Sequence, residues 1–382
     1  MKQKAIRISL IVLALSLTSV TVHGQWWDPL GLGRLFNNKE ERKSVTGSAT
    51  EEQDRRAQEI YDSAMEELEK GNDGRANRLF KKVTKQYRQT KVAPRALLRI
   101  ARIQKDNNRF DKAFKTTQNI IRSYPDFPQF NDVIRTQFEI ATNVMEGRRG
   151  RFLLVIPKLK NVVKARQYFE AVISNAPYSE YSPMALMNIA IISDQNNDQG
   201  YAIDSLDRLI NFYPDSMFGP DAYYRLGEIF ASMVDGPYYD QSATERAISY
   251  YEDFLILYPD DPEVERAEAG LREMREVLAE SKFLLGEFYY LYRSNTTAAL
   301  VYYNETITVA PNSETAKSAR TRIERIREGK PPPLTGIGLA QLWNLFRKKE
   351  IFRDADLINR EQEELEKAEE SEVIPAAPSP QG

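Results

Sequence analysis

The chain has no cysteine and one histidine in 382 residues. The first absence excludes disulfides, thiolate nucleophiles, cysteine-based metal sites and the acylated cysteine that anchors a bacterial lipoprotein. The second leaves no His-based triad and no His/Cys zinc site beyond the leader, because the histidine is His23. An excess of one charge is missing too. With 53 basic and 55 acidic residues the net charge is −2, so no global field favours nucleic acid, and local patches decide what the surface attracts. No phosphate-cradling Gly-rich segment opens a helical pattern, and Gly31-Leu32-Gly33 is too short to count. No cofactor or metal is expected. The apolar run from Ile8 to Val22 is shorter than the ~20 residues a spanning helix needs.

That run follows Lys2, Lys4 and Arg7 and ends in the small-residue context Val22-His23-Gly24. The pattern predicts a secretory signal over residues 1–24 and an exported chain from Gln25, with an uncleaved anchor as the alternative. Residues 25–52 form an aromatic, Gly-punctuated segment and a polar linker. Within it, Trp26 and Trp27 suit an interfacial anchor or packing on the first repeat.

What the chain has in abundance is a recurring unit. An alanine is followed four residues later by a large apolar side chain, and 12 residues after the alanine comes a proline, in Ala202–Leu206–Pro214, Ala247–Tyr251–Pro259 and Ala299–Tyr303–Pro311. Such self-similarity means a helical-repeat array. The residue types match the TPR repeat, with small residues where two helices touch, large ones between units, and proline where the second helix must stop. Six units follow over residues 53–330. They carry Ala64, Gly71, Ala76 and Phe80; Leu97, Ala101, Ala113 and Pro125; Ala141, Ala165, Phe169 and Pro177; Leu186, Ala190 and Ala202; Leu226, Gly227 and Ala247; and Gly286 and Ala299. Extra residues separate the helices of unit five, a long helical pattern from Pro262 to Phe283 precedes unit six, and a polar capping helix is expected over 313–328. The predicted fold is an all-α, TPR-like helix-turn-helix solenoid with disordered flanks.

Four features bear on chemistry or binding. Asp194, Asn196 and Asp198 start like a calcium loop, but Gln199 and Ser205 occupy the glycine and glutamate positions, so an inter-helix turn is expected. Asp260-Asp261 is expected to begin the next helix. The insertion after Ala141 combines Arg148, Arg149, Arg151, Lys158 and Lys160 with an apolar run, which suits an anionic headgroup layer, an acidic partner or packing on its own repeats. After Pro331-Pro332-Pro333, residues 331–359 hold an amphipathic stretch at 335–353 with Trp343 and Phe346, able to cap the array, lie on a membrane or dock in a partner's groove. Residues 360–382 are Glu-rich and then Pro/Ala-rich, and read as a disordered acidic tail. A hydrolytic carboxylate pair is the remote alternative; no enzyme activity is expected.

Residues 178–326 resemble the BamD family, the TPR component of the outer-membrane β-barrel assembly machinery. The stretches YAIDSLDRLINFYPDSMFGPDAYYRLGEIF, DQSATERAISYYEDFLILYPDDPEVERAE and FLLGEFYYLYRSNTTAALVYYNETI carry the likeness. The resemblance implies a non-catalytic periplasmic scaffold at the inner face of the outer membrane. It implies binding of the central barrel assembly protein through that protein's periplasmic domains, and of unfolded outer-membrane clients. It maps the partner contact onto unit six, including Glu287, Tyr290, Arg293 and Tyr302, the last at a position where many relatives carry Arg. The family's lipidated cysteine has no counterpart in this chain. The other reading of the same array is a periplasmic TPR adaptor for cell-envelope or peptidoglycan coordination.

Overall fold

The computed structural model describes residues 49–147 and 161–330. Among them are thirteen α-helices and no strand, the predicted all-α, TPR-like class. The chain divides into two compact units: residues 49–96 with 118–127, and 97–117 with 128–330.

The first unit begins with α1 (Glu51–Glu69), whose start is fixed by a capping box. The Thr50 hydroxyl accepts the Gln53 N–H, and the Gln53 side chain accepts the Thr50 N–H. Gly71, expected at a helix contact, instead lies in the turn to α2 (Asp73–Gln86) at φ 75°, with open space where a Cβ would stand. Its role is therefore the left-handed C-terminal turn. Ala64, Ala76 and Phe80 are buried as the repeat pattern requires, and Phe80 meets Tyr61 edge-on at 5.3 Å. From α4 (Phe110–Ser123) the chain runs to Tyr124, whose hydroxyl donates to the Arg88 carbonyl at 2.9 Å.

α3 (Val92–Asp106) and α4 each pass from one unit into the other. The second unit then continues through α5 (Phe130–Met145), α6 (Val162–Asn175), α7 (Tyr181–Asp194), α8 (Gln199–Phe212), α9 (Gly219–Ser232), α10 (Ser242–Leu257), α11 (Val264–Leu291), α12 (Thr296–Val309) and α13 (Glu314–Arg327), with neighbours in sequence packed as neighbours in space from α5 onward. Ala165, Ala202, Ala247 and Ala299 are fully buried, as are Phe169, Leu206, Phe254 and Tyr303. Two glycines hold one ring: a Cβ on Gly227 of α9 would lie 2.6 Å from the Tyr251 ring, and one on Gly270 of α11 would lie 2.7 Å from it. Gly286 seats Tyr303 in the same way, at 2.6 Å. The Tyr of the Tyr-Pro exit also staples one repeat to the last, since the Tyr213 hydroxyl donates to the Pro177 carbonyl at 2.6 Å.

The long pattern before unit six and the first helix of that unit are one 28-residue helix, α11. Asp260-Asp261 forms the turn before it rather than its first residues; Asp261 Oδ1 accepts the Glu263 N–H at 2.9 Å and the helix starts at Val264. The calcium-like residues form the α7–α8 turn, with Asn197 at φ 56°. Asp198 is engaged there by buried Arg166, whose Nη1 donates to its Oδ2 at 2.5 Å and whose guanidinium lies 4.0 Å above the Tyr201 ring.

Candidate partner-binding surface

The surface nominated by the resemblance is the end of α11 with α12 and α13. A single carboxylate organises it. Glu287 is fully buried, its Oε1 accepts the Tyr303 hydroxyl at 2.5 Å, and Arg322 of α13 donates from Nε to Oε1 at 2.7 Å and from Nη2 to Oε2 at 3.1 Å. Burial leaves no face of Glu287 for another protein, which corrects its expected role as a contact. It ties three helices together instead. An arginine fork satisfies both oxygens and offsets the cost of taking the charge out of water. The bonds to Glu287 raise the Arg322 pKa further. Burial, then the adjacent carboxylate, pushes the Tyr303 phenol well above its ordinary value.

Tyr290 is also buried, and its hydroxyl donates to the Lys330 carbonyl at 3.0 Å, so it positions the chain after α13. Tyr302 is half-buried and stacked on Tyr289, with ring centroids 5.4 Å apart. Arg293 is exposed, its guanidinium 5.5 Å from the Phe288 ring, beside Tyr292, which is 38% exposed. Of the four nominated residues, Arg293 and the edge of Tyr302 therefore face outward, over an aromatic bed of Phe288, Tyr289 and Tyr292. Asn295 starts α12 by accepting the Ala298 N–H, and Ser294 makes the reversal at φ 51°. Trp26, Trp27, Arg148, Arg149, Arg151, Lys158, Lys160, Trp343 and Phe346 lie outside the described residues.

Sequence reasoning missed Arg322, which looked like one more solvated charge on a polar helix. The available signal was a lone glutamate inside the apolar run FLLGEFYY, which demands a buried cation.

Comparison with known proteins identifies the family. The YfiO family, described as outer membrane lipoprotein, matches residues 53–195 and again residues 157–305, together more than half of the chain. An outer membrane protein assembly factor BamD of Caulobacter vibrioides is 27% identical over 137 residues, covering 36% of this chain and 45% of that protein. A second, from Rickettsia prowazekii, is 24% identical over 177 residues, covering 46% and 66%. The chain thus spans about half to two thirds of the length of these relatives. A thermophilic TPR protein of Thermus thermophilus, a solved structure, is 16% identical with a TM-score of 0.27, over 56% of this chain and 98% of its own. On the extent of the family match, spread over the repeats just described, this chain belongs to the YfiO (BamD) family.

Proposed function

We propose that the chain is a non-catalytic periplasmic scaffold of outer-membrane β-barrel protein assembly and insertion. The observation that carries this reading is the family match from residue 53 to residue 305, which runs through both units from α1 into α12. Function on such a scaffold is reversible binding to exposed side chains of successive helices. The central barrel assembly protein docks at the outward face of α11–α12, where Arg293 and Tyr302 stand over stacked aromatics; an arginine with aromatic neighbours is the composition of an interface anchor. Unfolded clients bind at the first repeats. None of the described helices is long and apolar enough to cross a membrane, and the chain has no cysteine to acylate. The membrane contact in this reading is made through the partner, through Trp26 and Trp27, through the basic insertion around Arg148–Lys160, or through Trp343 and Phe346.

The test is a pull-down of the tagged, full-length chain from detergent-solubilised envelope, with bound proteins identified by mass spectrometry. A large β-barrel with periplasmic repeat domains, recovered in stoichiometric amount and lost with Arg293→Glu, is the expected result. Recovery of cell-wall or division proteins instead moves the same repeats to the adaptor reading.

A further inference from the structure

The first unit separates its charges between its two opening helices. α1 carries eight carboxylates and two arginines, whereas residues 74–96 carry eight lysines and arginines and no carboxylate. On α2 the cations share one face. Arg75, Arg78, Lys82 and Lys85 follow at steps of three, four and three residues, with Lys81 beside them, and all five are exposed. Such steps keep side chains in one row along a helix. Ala76, Phe80 and Val83 bury the opposite face. From Arg75 to Lys85 the row is about 15 Å long at the rise of an α-helix. Exposed Arg88 and Lys91 follow it in the exit.

Most of this charge is uncompensated. Arg75 meets Glu67 of α1 at 3.3 Å, which marks one edge of the row. Among the described residues no carboxylate pairs with Arg78, Lys81, Lys82, Lys85, Arg88 or Lys91. The basic residues of α3 behave differently. Arg95 donates to Gln58 at 3.1 Å with its guanidinium 4.7 Å from the Tyr61 ring, Arg102 lies 3.6 Å from Asp132, and Lys105 pairs with Glu139. Like charges three and four residues apart on one helix repel. The open face of α2 therefore holds a repulsion that an anionic partner would relieve.

Composition selects the anion. The core of a protein interface is rich in aromatic side chains and arginine and poor in lysine. This face is the reverse. Three of its five cations are lysines, and none of the exposed large apolar side chains among the described residues lies in the first unit. A headgroup layer requires nothing apolar. It attracts several basic side chains presented on one face, each within a Debye length (~10 Å) of the lipid phosphates. We propose that the outward face of α2, formed by Arg78, Lys81, Lys82 and Lys85, docks on anionic phospholipid headgroups, while α1 with its carboxylates stays out of contact. This docking rests on the charge distribution of the first unit and not on the barrel-assembly reading.

The chain has no cysteine, so a single one can be introduced as a label site. Gln86→Cys lies one turn beyond Lys82 on the basic face and Ser63→Cys lies among the carboxylates of α1, both at exposed positions. Each full-length variant is labelled with a fluorophore and mixed with vesicles of phosphatidylglycerol and phosphatidylcholine in equal parts that carry a nitroxide quencher on the headgroup. Quenching is expected at position 86 and not at position 63, with none from phosphatidylcholine alone and a loss as salt rises. Lys81→Gln, Lys82→Gln and Lys85→Gln together, all at exposed sites, are expected to weaken the vesicle titration roughly hundredfold, with an unchanged helical circular-dichroism signal. Equal quenching at both positions, equal quenching by phosphatidylcholine alone, quenching indifferent to the three lysine substitutions, or no quenching would each overturn the proposal. So would position 86 being shielded by polyglutamate while vesicles leave it unquenched, which gives the face to an acidic polypeptide.

Discussion

The α2 exit of the first unit and three exits of the second are built on the same repeat yet carry opposite charge. At the exit of α2, residues 83–93 carry Lys85, Arg88 and Lys91 and no carboxylate. At the exits of α6, α8 and α10 the charge is wholly acidic, and the exposed large apolar side chains among the described residues all lie in the second unit. The buried positions scarcely differ: Ala76 and Phe80 in the first unit do what Ala247 and Tyr251 do in the second. Small residues at helix contacts and rings between units specify the fold, and the positions left in solvent are free to carry whatever the partner requires.

The largest expected effect falls on the tyrosines of the second unit. Burial pushes the phenols of Tyr168, Tyr250, Tyr251 and Tyr303 above their ordinary value of 10.0, and carboxylates beside Tyr168, Tyr250 and Tyr303 add to the shift. A raised phenol pKa means that the unfolded chain ionises first. The stability held in these groups is therefore complete below pH ~10 and lost as pH rises beyond it toward the folded values. Alkaline titration followed by circular dichroism should show cooperative unfolding coincident with phenolate absorbance; ionisation near pH ~10 with helices intact would show these rings to be more exposed than described.

Phe254→Ala empties a fully buried site between α9 and α10 and is expected to cost ~3–5 kcal/mol. Phe80→Ala is its counterpart in the first unit, and hydrogen exchange should place the two losses in different helices. An unchanged melting temperature for Phe254→Ala would contradict the repeat register. Arg322→Ala strands Glu287 without its cation and is expected to cost ~3 kcal/mol, read by chemical denaturation; Glu287→Gln in the same background should recover part of it. Gly270→Ala drives a methyl against the Tyr251 ring and is expected to cost ~1–3 kcal/mol, with Gly74→Ala, which meets nothing, as the neutral control. The smallest effect is reserved for the first unit. Arg56→Ala breaks only an exposed pair with Glu52 and should shift stability by less than ~1 kcal/mol.

The alanines, the large apolar wedges and the exit prolines were legible in the sequence because each recurs at a fixed spacing in at least five of the six units, and a shared spacing constrains the packing geometry. Features confined to one place in the array were not. Gly71 and Gly286 are the same letter, but one supplies a left-handed turn and the other a seat for Tyr303, and only the backbone distinguishes them. Gly270 seats a ring from outside the repeat pattern. Glu287 looked like a surface contact because a carboxylate is normally solvated; its arginine lies 35 residues away in a different helix. The exposed Phe212 and Leu257 each precede a Tyr-Pro exit, where the sequence shows the exit but not which side of the helix stays wet.

α11 has a mechanical consequence. Its first half packs against α10 and its second half against α12, with no break in the backbone ladder between them. Where other repeats are separated by a turn that can flex, the last two share a beam. A load applied at α13, through Glu287 and Arg322, is delivered along that beam toward Tyr251 and α9 without a joint to absorb it. Whatever grips one end of this molecule also steers the repeat beneath it.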